Sequence, residues 1–101
     1  MHILFELEWT DEANAVYARL KGNPAEKARY GAVKKTLEFL SENPRHPGLQ
    51  THPFSSVEGP KGEKVFEAYA QQNTPAAYRV FWYYGSKRGT IVLLTITAHP
   101  K

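Results

Sequence analysis

The chain has 101 residues, 42% hydrophobic and 23% charged, a composition that fits one globular domain and excludes a disordered chain. There is no cysteine, so disulfides, thiolate metal sites and a thiol nucleophile are excluded, and no apolar run approaches the roughly 18 residues of a membrane span. The net charge of +3 is uneven: residues 1–60 carry seven Lys/Arg against eight Asp/Glu, whereas residues 61–101 carry six against two, a cationic half suited to a polyanionic partner, nucleic acid first.

In chain order, Ile3, Phe5 and Leu7 alternate with Leu4, Glu6 and Glu8, which predicts a half-buried first strand. Acids interrupt it, so no signal-peptide core is expected and a cytoplasmic protein is. Thr10 is placed to cap a helix whose first turn, Asp11-Glu12, suits the positive end of the helix dipole, with Ala13, Val16, Tyr17 and Leu20 as its buried stripe and Gly22 at its end. Asn23 is placed to cap a second helix, with Pro24 at its first position and Glu26 as the reciprocal acid of a capping box. Tyr30, Val33, Leu37 and Leu40 form its apolar stripe, Lys27, Lys34, Lys35 and Glu38 its solvated face, and Asn43-Pro44 its stop. So short a link makes the two helices an antiparallel hairpin.

Residues 43–64 hold four of the seven prolines and three glycines, with no periodicity, and read as a long functional or mobile connection. Three strands follow, Val65–Gln71, Ala77–Tyr84 and Thr90–Thr97, joined by short turns into an antiparallel meander. The expected architecture is α+β in a single domain, residues 1–101: an N-terminal strand, a two-helix antiparallel hairpin and a three-stranded antiparallel meander (β-α-α-β-β-β), with the helices on one face of a four-stranded sheet.

Alternation assigns the faces. On the last strand Val92, Leu94 and Ile96 are expected under the helices, against Tyr17, Val33, Leu37 and Leu40, and Thr95, Thr97 and His99 on the open face. Glu67 and Tyr69 then lie beside Arg79, Phe81 and Tyr83. Arg79 stands in an otherwise apolar, aromatic strand, and two readings stay open for it: a guanidinium aimed at a phosphate, or an ion pair with Glu67 stacked on Tyr83. Likewise the three rings Tyr69, Phe81 and Tyr83 are either stacking platforms for bases or residues chosen for β-propensity.

The element order, the approach Gly62-Glu-Lys-Val-Phe-Glu-Ala-Tyr69, the segment Tyr78-Arg-Val-Phe81 and the closing Ile96-Thr-Ala-His99 resemble the RelE/ParE toxin superfamily over nearly the whole chain. That resemblance implies a small cytoplasmic toxin paired with a cognate antitoxin. RelE-like members cleave ribosome-bound mRNA without a metal or other cofactor, and ParE-like members poison gyrase instead. Carried over, Arg79 matches the arginine that contacts the scissile phosphate, and His99 the basic or histidine position closing the last strand. Lys61 and Lys64 occupy the basic approach to the second strand.

Internal attack by a 2′-hydroxyl needs a base, cations for the phosphorane and an acid for the departing 5′-oxygen. The catalytic candidates are Arg79 and Lys64 as phosphate cations and Glu67 or His99 as base, while Lys61, Tyr69, Phe81, Tyr83, Lys87, Arg88 and Lys101 are the nucleic-acid-binding candidates. Tyr69 stands where many relatives carry a second arginine, and the leaving-group acid is not evident, since Tyr69 and Tyr83 are phenols with pKa near 10. No metal site is expected from His46 and His52, which lack a further ligand. His52 could instead overhang the open face as an acid–base group. No membrane partner is expected. The alternatives to a ribonuclease are a degenerate, non-catalytic binding module that kept the fold and a gyrase-directed toxin.

Overall fold

The computed structural model describes residues 4–72 and 76–98. Its elements are β1 (Glu6–Trp9), α1 (Asp11–Gly22), a 3-10 turn (Pro24–Glu26), α2 (Lys27–Glu42), a second 3-10 turn (Pro47–Leu49), β2 (His52–Glu58), β3 (Lys64–Tyr69), β4 (Tyr78–Tyr84) and β5 (Thr90–Ala98). The strands form one sheet in the order β1-β5-β4-β3-β2, antiparallel except for the β1–β5 pair. The expected β-α-α-β-β-β order and meander are present, and β1 takes the edge beyond β5. Among the described residues no helix is long and apolar enough to cross a membrane.

The sheet has five strands where four were expected. The fifth is β2, inside the Pro/Gly-rich stretch that reads as a connection. His52 pairs with Glu67, Pro53 with Phe66 and Glu58 with Lys64, with an irregularity between. Proline lacks a ladder donor and is tolerated at a sheet edge, which β2 is. Most of its residues are exposed, so no run of buried side chains marks it in the sequence.

Local chemistry sets the helices. The Thr10 hydroxyl oxygen accepts from the Ala13 N–H at 3.1 Å, capping α1. Asn23 caps the 3-10 turn through Ala25 N–H. Glu26 does not close a capping box: the Asn23 N–H already donates to the Leu20 carbonyl that ends α1, and Glu26 pairs with Arg29 at 2.9 Å. The buried stripes Ala13 and Leu20, and Val33, Leu37 and Leu40, lie against Val80, Trp82, Ile91, Leu93 and Ile96 of the sheet.

One strand departs from simple alternation. Phe81 faces Thr95 while the next residue, Trp82, faces Leu93, so Leu94 is an extra residue, a β-bulge. Before it Ile91 and Leu93 point to the helices; after it Ile96 does. Of the trio expected under the helices, only Ile96 is there. Val92 and Leu94 lie on the other face with Val65, Phe81, Tyr83 and Phe54, a second small core. Thr95 and Thr97, opposite Phe81 and Arg79, do lie on the open face. His99 is outside the described residues.

Thr10 also holds the bulge. Its hydroxyl lies 3.0 Å from the Leu93 carbonyl and 2.8 Å from the Leu94 carbonyl, and its N–H donates to Leu93. One side chain therefore caps α1 and satisfies carbonyls that the bulge leaves without a regular ladder. Thr10→Ala is expected to lower the unfolding free energy by about 1–2 kcal/mol, the scale of a lost N-cap, while Thr10→Ser keeps most of it. Urea unfolding of the three proteins checks this; equal midpoints would contradict it.

Candidate active site

At the β2 edge of the open face a carboxylate is buried between an arginine and a histidine. Glu67 lies in the middle of β3, opposite Phe81 on one side and His52 on the other, and is fully buried. A buried ion is tolerated only when it is paired. His52 Nε2 is 2.7 Å from Glu67 Oε1, and Arg79 Nε is 3.8 Å from Glu67 Oε2.

Arg79 is held on three sides. Its Cζ lies 3.9 Å from the centroid of the Tyr69 ring, one residue across the β3–β4 ladder. Its Nη1 donates to the Gln71 carbonyl at 2.7 Å, and its side chain is 13% exposed. The two readings of Arg79 thus meet: the pair with Glu67 is present, the stacking partner is Tyr69 rather than Tyr83, and a guanidinium with five N–H groups keeps donors for an incoming anion. Gln71 serves both sides of the sheet, because its side-chain oxygen accepts from Arg29 Nε on α2 and from the Tyr78 N–H.

His52 completes the cluster. Its ring meets Tyr69 edge-on at 5.5 Å, and its Nδ1 lies 3.2 Å from the Gln50 carbonyl. The side chain is 44% exposed, against none for Glu67. His52 also borders a cavity of about 360 Å³ shared with Arg45, His46, Phe66, Trp82 and Tyr84. His46 has a structural place, stacked on Phe39 at 4.3 Å and accepting from the Gly48 N–H. Among the described residues no group of three or more His, Asp or Glu is arranged to hold a metal.

The other expected site residues are placed elsewhere. Lys64 follows the parity of Phe66, over whose ring its Nζ lies at 5.9 Å, so it projects to the face opposite Glu67 and Arg79. Lys61, in the turn before β3, and Lys87 and Arg88, in the turn after β4, are exposed and cluster at the other end of the strands. Five residues along β4 separate that end from Arg79, roughly 17 Å at 3.3 Å per residue. His99 and Lys101 lie outside the described residues.

Phe81 and Tyr83, expected as stacking platforms, are on the open face but only 3% and 7% exposed. Phe54 from β2 meets Phe81 edge-on at 5.0 Å, and Val92 and Leu94 close over the rest. The cover comes from the strand and the bulge that the sequence conceals. Tyr69 alone of the three rings is partly exposed, and Arg79 lies across it. Sequence reasoning did not pair His52 with Glu67; the alternation of His52 and Phe54 beside an edge proline was its faint signal.

No protein-family model matches the chain, and no curated protein matches it in sequence. Solved structures match its fold. A YoeB/ParE toxin from Agrobacterium tumefaciens superposes with a TM-score of 0.69 at 12% identity, over 94% of this chain and 99% of that one. The archaeal RelE–RelB complex from Pyrococcus horikoshii OT3 gives 0.63 at 17% identity, over 97% and 96%. The toxin–antitoxin complex RelBE2 from Mycobacterium tuberculosis gives 0.56 at 20% identity, over 96% and 100%. The chain has the fold of the RelE/ParE toxins, and at that level the resemblance carried by its motifs holds.

Burial, then the nearby Glu63 and Glu8 carboxylates, push the Tyr83 hydroxyl above its ordinary value of 10, which makes it a still poorer acid at neutral pH. The folded chain keeps this proton to higher pH than the unfolded one. Stability from Tyr83 is therefore complete below about pH 10 and declines as pH rises beyond it. Tyr83→Phe is expected to flatten the fall in unfolding free energy between about pH 9 and pH 11, measured by urea titration. An unchanged slope would contradict the placement of Tyr83.

Proposed function

We propose that the chain is a RelE-type toxin of a toxin–antitoxin pair, a cytoplasmic endoribonuclease that cuts ribosome-bound mRNA without a metal or other cofactor and is neutralised by a cognate antitoxin. The observation that carries this reading is the cluster of Glu67, Arg79, Tyr69 and His52 on the open face of a RelE/ParE-like fold. Arg79 and His52 meet at one buried carboxylate, an arrangement that holds a guanidinium and an imidazole together on the face a phosphodiester would approach. The fold likeness to proteins solved as RelE–RelB and RelBE2 complexes supports an antitoxin partner.

In this reading Arg79 binds the scissile phosphate and stabilises the charge of the pentacoordinate phosphorane. His99 remains a proposed member of the site. Lys61, Lys87 and Arg88, with Lys64 and Lys101, supply the diffuse positive field that raises the local concentration of RNA. A strand laid along β4 would meet Arg79 at one end and the Lys87–Arg88 turn at the other. Phe81 and Tyr83 are buried and Arg79 lies over the ring of Tyr69, so affinity should be dominated by phosphate contacts.

A degenerate binding module is the second reading, favoured by the low exposure of Arg79 and by the position of Lys64 on the opposite face. Primer extension on translated mRNA separates the two. On the ribonuclease reading Arg79→Ala lowers cleavage per folded molecule by roughly 100-fold or more, the scale of losing an electrostatic stabiliser. Arg79→Lys restores little, because a point charge cannot reproduce the guanidinium fork. Thermal melts of each variant supply the folded fraction. A wild-type protein that cuts no mRNA on ribosomes and is harmless when overexpressed would leave the binding module.

A further inference from the structure

Cleavage through a 2′-hydroxyl attack leaves a 5′-oxygen that must take up a proton, and the two phenols considered for that step are poorly placed. Glu67, expected as a base, is fully buried beneath the face. The ring of Tyr69 is covered by Arg79, and Tyr83 is buried with its hydroxyl pushed up in pKa. Among the described residues of the cluster, His52 is an imidazole that reaches solvent, its side chain 44% exposed.

Both its ring nitrogens face acceptors, the Glu67 carboxylate and the Gln50 carbonyl. A neutral imidazole has one N–H and can serve one of them; the imidazolium serves both. The Glu67 carboxylate, 2.7 Å from Nε2, fixes the ring from its buried side and leaves Nδ1 at the surface. Gln50 adopts a left-handed conformation, φ 49° and ψ 39°, rare for a residue with a side chain, two residues before His52. The contact to its carbonyl is 3.2 Å and lies at the surface, so an incoming oxygen can replace it.

We propose that His52 is the general acid of this site, a catalytic residue that protonates the leaving 5′-oxygen through Nδ1, with the buried Glu67 as the positioning residue that fixes the ring through Nε2. The proposal rests on the ribonuclease reading above. The 2′-oxygen forms its bond to phosphorus as its proton passes to water, the bond from phosphorus to the 5′-oxygen breaks, and the His52 Nδ1 proton moves to that oxygen. The products are a 2′,3′-cyclic phosphate and a 5′-hydroxyl, and His52 regains its proton from water. The charged or titratable groups beside the ring are Glu67 and Tyr69 of β3, with Arg79 of β4 behind them, and Arg45, His46 and Tyr84 line the cavity that His52 borders.

A substrate whose leaving oxygen is replaced by sulfur tests the assignment, because a thiolate departs without a proton. Single-turnover cleavage is measured on ribosomes carrying the natural mRNA, or the same mRNA with a 5′-bridging phosphorothiolate at the mapped cut. His52→Ala is expected to slow the natural substrate by about 100-fold or more and the sulfur substrate by less than about threefold. Glu67→Gln, which keeps the shape and loses the charge, is expected to slow the natural substrate by about tenfold or more and the sulfur substrate by less than about threefold. Thermal melts confirm that each variant is folded.

Equal slowing of both substrates by His52→Ala, or no slowing of either, would overturn the general-acid role while leaving the ribonuclease reading intact. Equal slowing of both substrates by Glu67→Gln, or no slowing of either, would overturn the positioning role. Wild-type protein that cleaves neither substrate would overturn the ribonuclease reading and this one with it.

Discussion

A carboxylate with no exposure to water sits in the middle of β3, and the open side of the sheet is organised around it. Moving an ion of that size out of water without partners costs several kcal/mol or more, so the fold must bring charged or hydrogen-bonding partners to Glu67. Two come, from opposite directions: Arg79 along the next strand inward and His52 from the edge strand outward. Their positions follow from the ladders, since Glu67 pairs with His52 and Arg79 pairs with Tyr69 two rungs along, on the same face. A group that demands pairing thus fixes two mobile side chains beside a partly exposed ring.

The sheet can carry this arrangement because both of its faces are packed. The helices cover one face through the stripes of α1 and α2, and Phe54, Val92 and Leu94 build a smaller apolar cluster over Phe81 and Tyr83 on the other. The bulge at Leu94 makes this possible: it lets one strand send Ile91 and Leu93, and then Ile96, to the helices while Val92 and Leu94 go to the opposite side. Thr10 ties that bulge to the start of α1. Charge is divided along the strands as well, with the paired Arg79 toward one end and the exposed Lys87–Arg88 turn at the other.

Much of this was legible in the sequence. Thr10, Asn23 and the apolar stripes announce the helices because capping and 3.6-residue periodicity are local properties. An arginine among aromatics in β4 announces a site because an unpaired buried cation is intolerable. Strict alternation in β3 and β4 puts Glu67, Tyr69 and Arg79 on one face, as found. The rest was not local. A bulge has no signature in Leu93-Leu94-Thr95, where every residue suits a strand, so parity fails for Val92 and Leu94. Strand β2 is hidden because an edge strand with Pro53 and two serines needs only its neighbour's free hydrogen bonds to form. With β2 hidden, the cover over Phe81 and the His52 partner of Glu67 were hidden too.

The measurement that bears most directly on this account is the coupling between His52 and Glu67. Urea unfolding of the wild type, His52→Ala, Glu67→Gln and the double variant near neutral pH gives it as a double-mutant cycle. If the buried carboxylate depends on His52 as the geometry requires, the cycle yields an interaction of about 1 kcal/mol or more, and the two losses are not additive. Additive losses, with a coupling near zero, would mean that the carboxylate does not hold the histidine and would contradict the organisation of the site.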